Sequence, residues 1–435
     1  MKAFQRALCM TLMIAVLLTF SACYTQRPNP SGDETQTTQA PTQTEDRTEN
    51  AEEVSLRIRD VLPTENLRAF ERYQSVPDGR GLYVCSGETM KYYDFDTQKT
   101  MVLCTQTGCE HADSTCTAWM GKAVGFCVYR NLWYAAVEND DGSITLRKTD
   151  PATNYRADLY TIPCPEDRVL KVGALQAAYD NIYLQMLSEY IGMEETDSAN
   201  AEGQEWIVQV NTDGSAAHEI QIEGSKSMYL LGASDRYVAV LYEYYLEDLL
   251  SSEEFYAQSG STDDGTAYNE YWLDHYLTKR VMELRLYDIA TWEYEKVADK
   301  NLAFSNLPCC YGNVIAYWTL DRDTFDSTIY LLDLSTKESR PLLKTSGVVN
   351  VSVFDGRVFF VRTDEAGENT FWWLDSDGGT EQQIKNNGDT DAYVFSVWGE
   401  TTDRFLGLYT GKVGISWIYK TDLYKENYEA IGALT

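Results

Sequence analysis

Histidine is nearly missing from this chain of 435 residues: His111, His218 and His275 are all there are. No H-E-x-x-H occurs, which excludes the helical zinc site of that protease class. No G-x-S-x-G occurs, which excludes the strained nucleophile turn of that hydrolase class. The stretch GLYTGK at 407–412 lacks phosphate-loop spacing and reads as a strand and turn. Cations are also few. Lys and Arg total 36 against 67 Asp and Glu, a formal net charge of −31. Nucleic-acid binding rests on neutralising phosphates, so such a polyanion excludes it. Solubility and spacing between molecules are the plain uses of the charge; attraction to basic partners is the other. Long apolar runs are confined to Ala7–Phe20, and nothing after it is long enough to span a bilayer. A helical period is missing over most of the chain.

The one apolar run has a telling setting. Lys2 and Arg6 precede it, and FSAC follows, ending at Cys23. A positive start, a short apolar core and small residues at the cut describe a secretory signal peptide over residues 1–22. With cysteine directly after the small residues, the segment resembles a lipoprotein signal. That resemblance implies cleavage before Cys23 and lipidation of the new N-terminal cysteine by diacylglycerol, often with a further acyl chain. More than one acyl chain gives lasting membrane attachment. An ordinary secretory signal and an uncleaved anchor are the alternatives. Residues 23–53 follow as the lipidated cysteine and a flexible tether rich in Thr, Gln, Pro and Glu. Such a segment buries too little apolar surface to offset its ordering entropy, and it reaches about 30 Å.

From residue 54 to 435 the chain reads as all-β. Short runs of Tyr, Val, Leu and Trp are broken by Gly, Asp and Asn. One hairpin recurs seven times as strand, acidic turn, strand. Its turns start at Asp94, Asp150, Asn211, Asp288, Asp333, Asp375 and Asp422. Asp and Asn initiate such turns by bonding the backbone two residues on. Thr stands three positions later at 97, 153, 291 and 336, and Gly214 and Gly378 take that place in two other copies, where a positive φ is expected. A second hairpin precedes each of these. Four strands per repeat, seven times, predict a seven-bladed β-propeller, with the first strand of blade 1 near 66–76. Two stacked β-sandwiches are the alternative.

With strands A to D in each blade, the C–D turns form a plain face. The irregular segments fall at the other end: the D–A link 104–122, the B–C loop 188–205 and the B–C loop 243–280. Loops on a rigid scaffold are where binding resides. The longest insertion carries Tyr245, Tyr256, Tyr271 and Trp272, which suit a protein, peptide or glycan ligand. A satellite core of two short helices explains the same aromatics, and Leu246, Leu249 and Leu250 fit a helical stripe. His218 and His275 read as structural or solvated.

The link 104–122 opens with CTQTGCEHADSTC, which is C-x4-C-x-H-x4-C over Cys104, Cys109, His111 and Cys116. Three thiolates and one imidazole complete a tetrahedral zinc shell with no open position, so the cofactor expected there is a structural zinc. Outside the cytoplasm disulfides compete for the same thiols. Cys85 and Cys127 read as buried strand residues, and the adjacent Cys309 and Cys310 as packing residues on opposite faces of one strand. A thiol nucleophile at Cys109 served by His111 is the remaining alternative.

The cluster, continued as CTAW, resembles a cysteine-histidine element of propeller-type lipoproteins from anaerobic Gram-positive bacteria. Their layout is similar: lipid signal, Thr-rich tether, then repeats with Tyr-Asp turns. The resemblance implies location and fold, namely a lipid anchor at the outer surface of the cell membrane, and not an activity. The expected function is a non-catalytic binding or scaffold propeller using the insertion face. The alternative is an extracellular hydrolase or lyase acting on a glycan or peptide, with close carboxylates around the channel.

Overall fold

The computed structural model describes residues 62–69, 73–75, 81–190, 204–220, 227–260, 265–298, 302–303, 310–321, 324–364, 368–384, 396–408, 415–428 and 431–433. The signal, Cys23, the tether and Cys309 lie outside these residues. Seven antiparallel sheets form a ring, a seven-bladed β-propeller. Blade 1 runs Tyr73–Ser75, Gly81–Ser86, Thr89–Asp94 and Lys99–Val102, and blade 2 runs Ala123–Tyr129, Leu132–Glu138, Ile144–Asp150 and Tyr155–Ile162. Blade 3 begins at Arg168–Ala178, blade 4 at Ser227–Ala233, blade 6 at Val348–Phe354 and blade 7 at Ser396–Glu400. In blade 5 the first strand is in two pieces, Leu302–Ala303 and Cys310–Tyr311, both paired with Val314–Leu320.

Strand alternation builds the ring. Successive side chains point to opposite faces, so each inner strand serves two seams. On Leu132–Glu138, Trp133, Ala135 and Val137 pack toward blade 1, while Tyr134 and Ala136 pack toward blade 3. The buried apolar residues accordingly fall into seven clusters, one at each seam, and the cluster of Leu82, Tyr93, Trp398 and Trp417 closes blade 7 on blade 1. Polar bolts reinforce the last seams. Arg404 of blade 7 lies over the ring of Phe95 in blade 1 and pairs with Asp96 at 3.5 Å. The fully buried Lys420 pairs with Asp355 of blade 6 at 3.2 Å and Glu400 at 2.7 Å. Burial pushes the Glu400 carboxyl up, against the pull of Lys420.

The acidic turns form as expected in most blades. Asp94 accepts the Thr97 backbone N–H at 2.8 Å and its hydroxyl at 3.0 Å, and Asp150 accepts the Thr153 hydroxyl at 2.8 Å. The residue after each Thr is left-handed: Gln98, Asn154, Trp292 and Lys337 have φ of 53 to 61°. Where Gly takes the third position it assumes that role itself, with φ of 77° at Gly214 and 97° at Gly378. The seventh copy departs from the pattern. After Ile415–Tyr419 the chain makes a short helix, Lys420–Tyr424, and returns through Gly432–Ala433. Asp422 there is buried and accepts from Asn427 at 3.0 Å.

One element has no counterpart in the repeat. Residues 62–69 lie along the propeller axis, and Leu67–Arg68 adds a strand to the inner edge of blade 3, pairing with Ala177 and Gln176. Asn66 makes the segment fit. Its Nδ2 donates to Ala233 O at 2.7 Å and Gly312 O at 2.6 Å, while its Oδ1 accepts from Gln176 at 2.7 Å and the Ala233 N–H at 2.7 Å. All four hydrogen-bonding positions of the amide are thus used, across blades 3, 4 and 5. Glu65 accepts from the Tyr129 hydroxyl of blade 2 at 2.9 Å and the Tyr179 N–H at 2.5 Å. Beside the segment a cavity of about 130 Å³ remains, bordered by Phe354, Trp398, Glu400 and Leu406.

Candidate metal centre and the blade 4 insertion

The link between blades 1 and 2 folds on itself through its own side chains. Gly108 and His111 are left-handed, with φ of 74° and 58°. Asp113 accepts the Thr115 N–H at 2.9 Å and the Thr115 hydroxyl at 2.7 Å, and the Cys116 N–H reaches Asp113 O at 3.1 Å. The Thr105 N–H donates to Thr117 Oγ1 at 3.0 Å, closing the loop at its base. These turns bring the donor atoms of Cys104, Cys109, His111 and Cys116 within 4.8 Å of one another. His111 Nδ1 stands 3.2 Å from Cys116 Sγ. In a tetrahedral shell, Zn–S bonds of about 2.3 Å put sulfurs about 3.8 Å apart, so four donors gathered within 4.8 Å can close around one ion.

The sulfurs are also dressed as thiolates. Each accepts the backbone N–H two residues on: Gln106 to Cys104 at 3.4 Å, His111 to Cys109 at 3.4 Å, and Ala118 to Cys116 at 3.3 Å. Donors at sulfur favour the charged form. The Thr117 hydroxyl, followed by the Gln106 N–H, brings the Cys104 thiol down to about 6 against its burial. Burial holds Cys116 up at about 11. The Thr117 and Gln106 donors thus favour charge on the Cys104 sulfur. All the described cysteines carry free thiols. A single disulfide here would leave one thiol and the imidazole without use, whereas an ion engages all four.

The loop starts on the expected face and ends elsewhere. Its base pairs with the B–C turn of blade 1, with the Met90 N–H on Ala118 O at 2.8 Å and the Met120 N–H on Glu88 O at 2.7 Å. The ligands themselves lie out at the rim, against the last strand of blade 2. Arg156 donates to Ser114 O at 2.7 Å, Cys116 O at 2.6 Å and Trp119 O at 3.3 Å. The cluster thus sits across the blade 1–blade 2 seam rather than at the mouth of the channel.

The other expected sites are placed as follows. In blade 3 the strands run on to Tyr190 and resume at Gln204, so the loop is shorter than 188–205, and residues 191–203 lie outside the described set. In blade 4 Tyr245 pairs with Arg280, so the insertion is 246–279. It holds two helices, Ser252–Ser259 and Thr266–Lys279, while Leu246, Leu249 and Leu250 precede them in irregular backbone. Phe255 stacks on Tyr271 at 4.9 Å, and Tyr245 on His275 at 5.3 Å. The Leu250 N–H donates to the Tyr271 hydroxyl at 3.0 Å, and buried His275 contacts Glu247 O at 2.8 Å. Tyr245 and Tyr271 thus serve the satellite core, and Tyr256 and Trp272 are half-buried beside it. His218 stacks on Trp292 at 4.0 Å, a structural role.

Two groups escaped the sequence reading. Asn66 and Glu65 carry no motif, because their partners lie 64 to 246 residues away. Glu205 and Glu243 meet at the seam of blades 3 and 4. Glu205 accepts the Met228 N–H at 2.9 Å, and burial, with the Glu243 charge, pushes its carboxyl up to about 7. Glu243 is paired with Arg280 at 2.5 Å.

No known family matches the chain, and no curated protein does. Among solved structures, an oligogalacturonate lyase in complex with manganese is similar at 14% identity, over 80% of this chain and 87% of that one, with a TM-score of 0.45. The oligogalacturonate lyase of Vibrio parahaemolyticus is similar at 11% identity, over 81% and 91%, with a TM-score of 0.45. Dipeptidyl peptidase 4 of Porphyromonas gingivalis is similar at 12% identity over 82% of this chain, which spans 52% of that enzyme, with a TM-score of 0.43. At such identities and TM-scores these likenesses carry no argument about activity.

Proposed function

We propose that the chain is a lipid-anchored propeller at the outer surface of the cell membrane that binds rather than catalyses. Cys23 carries the lipid, as the signal and tether imply. The binding face is that of the D–A links and B–C loops, with the blade 4 insertion and Tyr256 and Trp272 as contact residues for a protein, peptide or glycan. Cys104, Cys109, His111 and Cys116 hold a structural zinc. Four protein donors leave that ion no open position, so it supplies folding energy.

The observation that carries the non-catalytic reading is the segment 62–69 set against the inner strands, which fills part of the axis. A channel-centred active site needs open polar groups, and here Glu65 and Asn66 engage the Tyr129 hydroxyl, the Tyr179 N–H, the Gln176 amide and the backbone of Ala233 and Gly312. Detergent-phase partitioning of the expressed chain tests the anchor: Cys23→Ser moves the protein to the aqueous phase if Cys23 is lipidated. Glycan and peptide arrays test the face. Retention that falls in Tyr256→Ala/Trp272→Ala supports a binder, and turnover of any array member contradicts it.

One observation favours the hydrolase or lyase reading. Glu205, its carboxyl pushed up to about 7 by burial, lies near the Arg280-paired Glu243, and a carboxyl raised in this way suits a general acid. Turnover abolished by Glu205→Gln without loss of fold would establish that reading.

A further inference from the structure

The ligand loop is fastened to two blades by different means. Blade 1 holds it through backbone hydrogen bonds from Met90 and Met120. Blade 2 holds it chiefly through one side chain, Arg156, whose Nη atoms reach the carbonyls of Ser114, Cys116 and Trp119. We infer that Arg156 is the positioning residue of the metal centre, which it compensates in charge and couples to the outer strand of blade 2, an inference that rests on the zinc reading above.

Charge supports it. Zn²⁺ with three thiolates and a neutral imidazole has a net charge of −1, and one guanidinium cancels it. Arg156 is half-buried. Arg147 is the other cation beside it. Arg147 is itself taken up by Asp158 at 2.6 Å. The Arg156 guanidinium itself is held on the Cys116 carbonyl, at 2.6 Å. Geometry supports it as well. Two of the three carbonyls belong to the Ser114–Cys116 turn that presents the last ligand, so the guanidinium fixes the direction of that sulfur. A lysine keeps the charge but not the planar fork that spans several carbonyls.

The experiment compares the mature chain with Arg156→Gln and Arg156→Lys. Zinc affinity is read by competition with a chromogenic chelator. Cobalt spectra report the ligand set. Hydrogen exchange is followed with and without zinc. In the wild type, zinc removal is expected to raise exchange both in 104–119 and in Tyr155–Ile162. Arg156→Gln is expected to weaken zinc by about 10- to 100-fold. Its cobalt spectrum stays that of three sulfurs and one nitrogen, and Tyr155–Ile162 no longer responds to metal. Arg156→Lys is expected to recover affinity in part while leaving the blade 2 strand unresponsive, and it decides the matter if Arg156→Gln does not fold. Affinity within about twofold of wild type in both variants overturns the inference while leaving the zinc reading intact. So does a wild-type blade 2 strand indifferent to zinc. Wild-type protein that takes up no zinc overturns both.

Discussion

Single side chains in this propeller do work that the repeat pattern hides. Asn66 is the clearest case. Its amide satisfies groups in blades 3, 4 and 5, so truncation leaves several of them without partners at once. Asn66→Ala is expected to cost about 2–4 kcal/mol, because each orphaned polar group costs about 1–3 kcal/mol. Urea denaturation checks this, and an unchanged midpoint would contradict it. Glu205 gives a pH signature. Its carboxyl is near 4.5 unfolded and about 7 folded, so the folded state binds more protons between those values. Stability from this group is fully present below pH 4.5 and is lost as pH rises through 7. Thermal midpoints of Glu205→Gln should therefore fall less than those of wild type between pH 5 and 7.5. Parallel curves would refute the shifted carboxyl.

Among elements, the turns were the most legible, because their chemistry is local. Asp94 and Thr97 lie three residues apart, and the hydrogen bonds between them form as their order implies. The pattern failed where local chemistry was overruled. In blade 7, Asp422 sits in a helix that places Lys420 against Asp355 and Glu400, and that contact is 65 residues away in sequence for Asp355. The two helices of blade 4 were legible as a possibility, though not in place. The first is set by a capping box, Ser251 accepting from the Glu254 N–H at 3.2 Å and Glu254 from the Ser251 N–H at 2.9 Å. Ser251→Ala should destabilise that helix by about 1 kcal/mol. Faster amide exchange confined to Ser252–Ser259, with the global midpoint unmoved, is the expected result. The left-handed Lys337, with φ of 61°, makes the opposite case. Lys337→Gly should be tolerated with little loss of stability, since glycine adopts that conformation at no steric cost, whereas Lys337→Val should lower the thermal midpoint.

At the scale of the whole molecule, blade number and class were readable because an Asp or Asn follows the third strand in each of the seven sheets, even where, at Asp422, a helix replaces the turn. The way the ring is held was not. Each of its seven seams has its own apolar cluster, and each of the polar fastenings joins residues far apart in sequence. The axis segment spans blades 2 to 5, Arg404 bridges blades 7 and 1, and the Cys/His loop lies across blades 1 and 2. The spacing of Cys104, Cys109, His111 and Cys116 announced a complete ligand set, and the fold brings it together. Its position at the rim depends on Arg156, 40 residues beyond Cys116, which no spacing reveals. The central claim is that this ligand set is a metal clip on one seam. The most direct test is metal content and free-thiol count on the folded mature chain and on Cys116→Ser. One zinc per chain, with Cys104, Cys109 and Cys116 unreactive until a chelator is added and the zinc lost in the variant, is the predicted result. A wild-type chain with no metal, whether its cluster thiols are freely reactive or joined in disulfides, would contradict it.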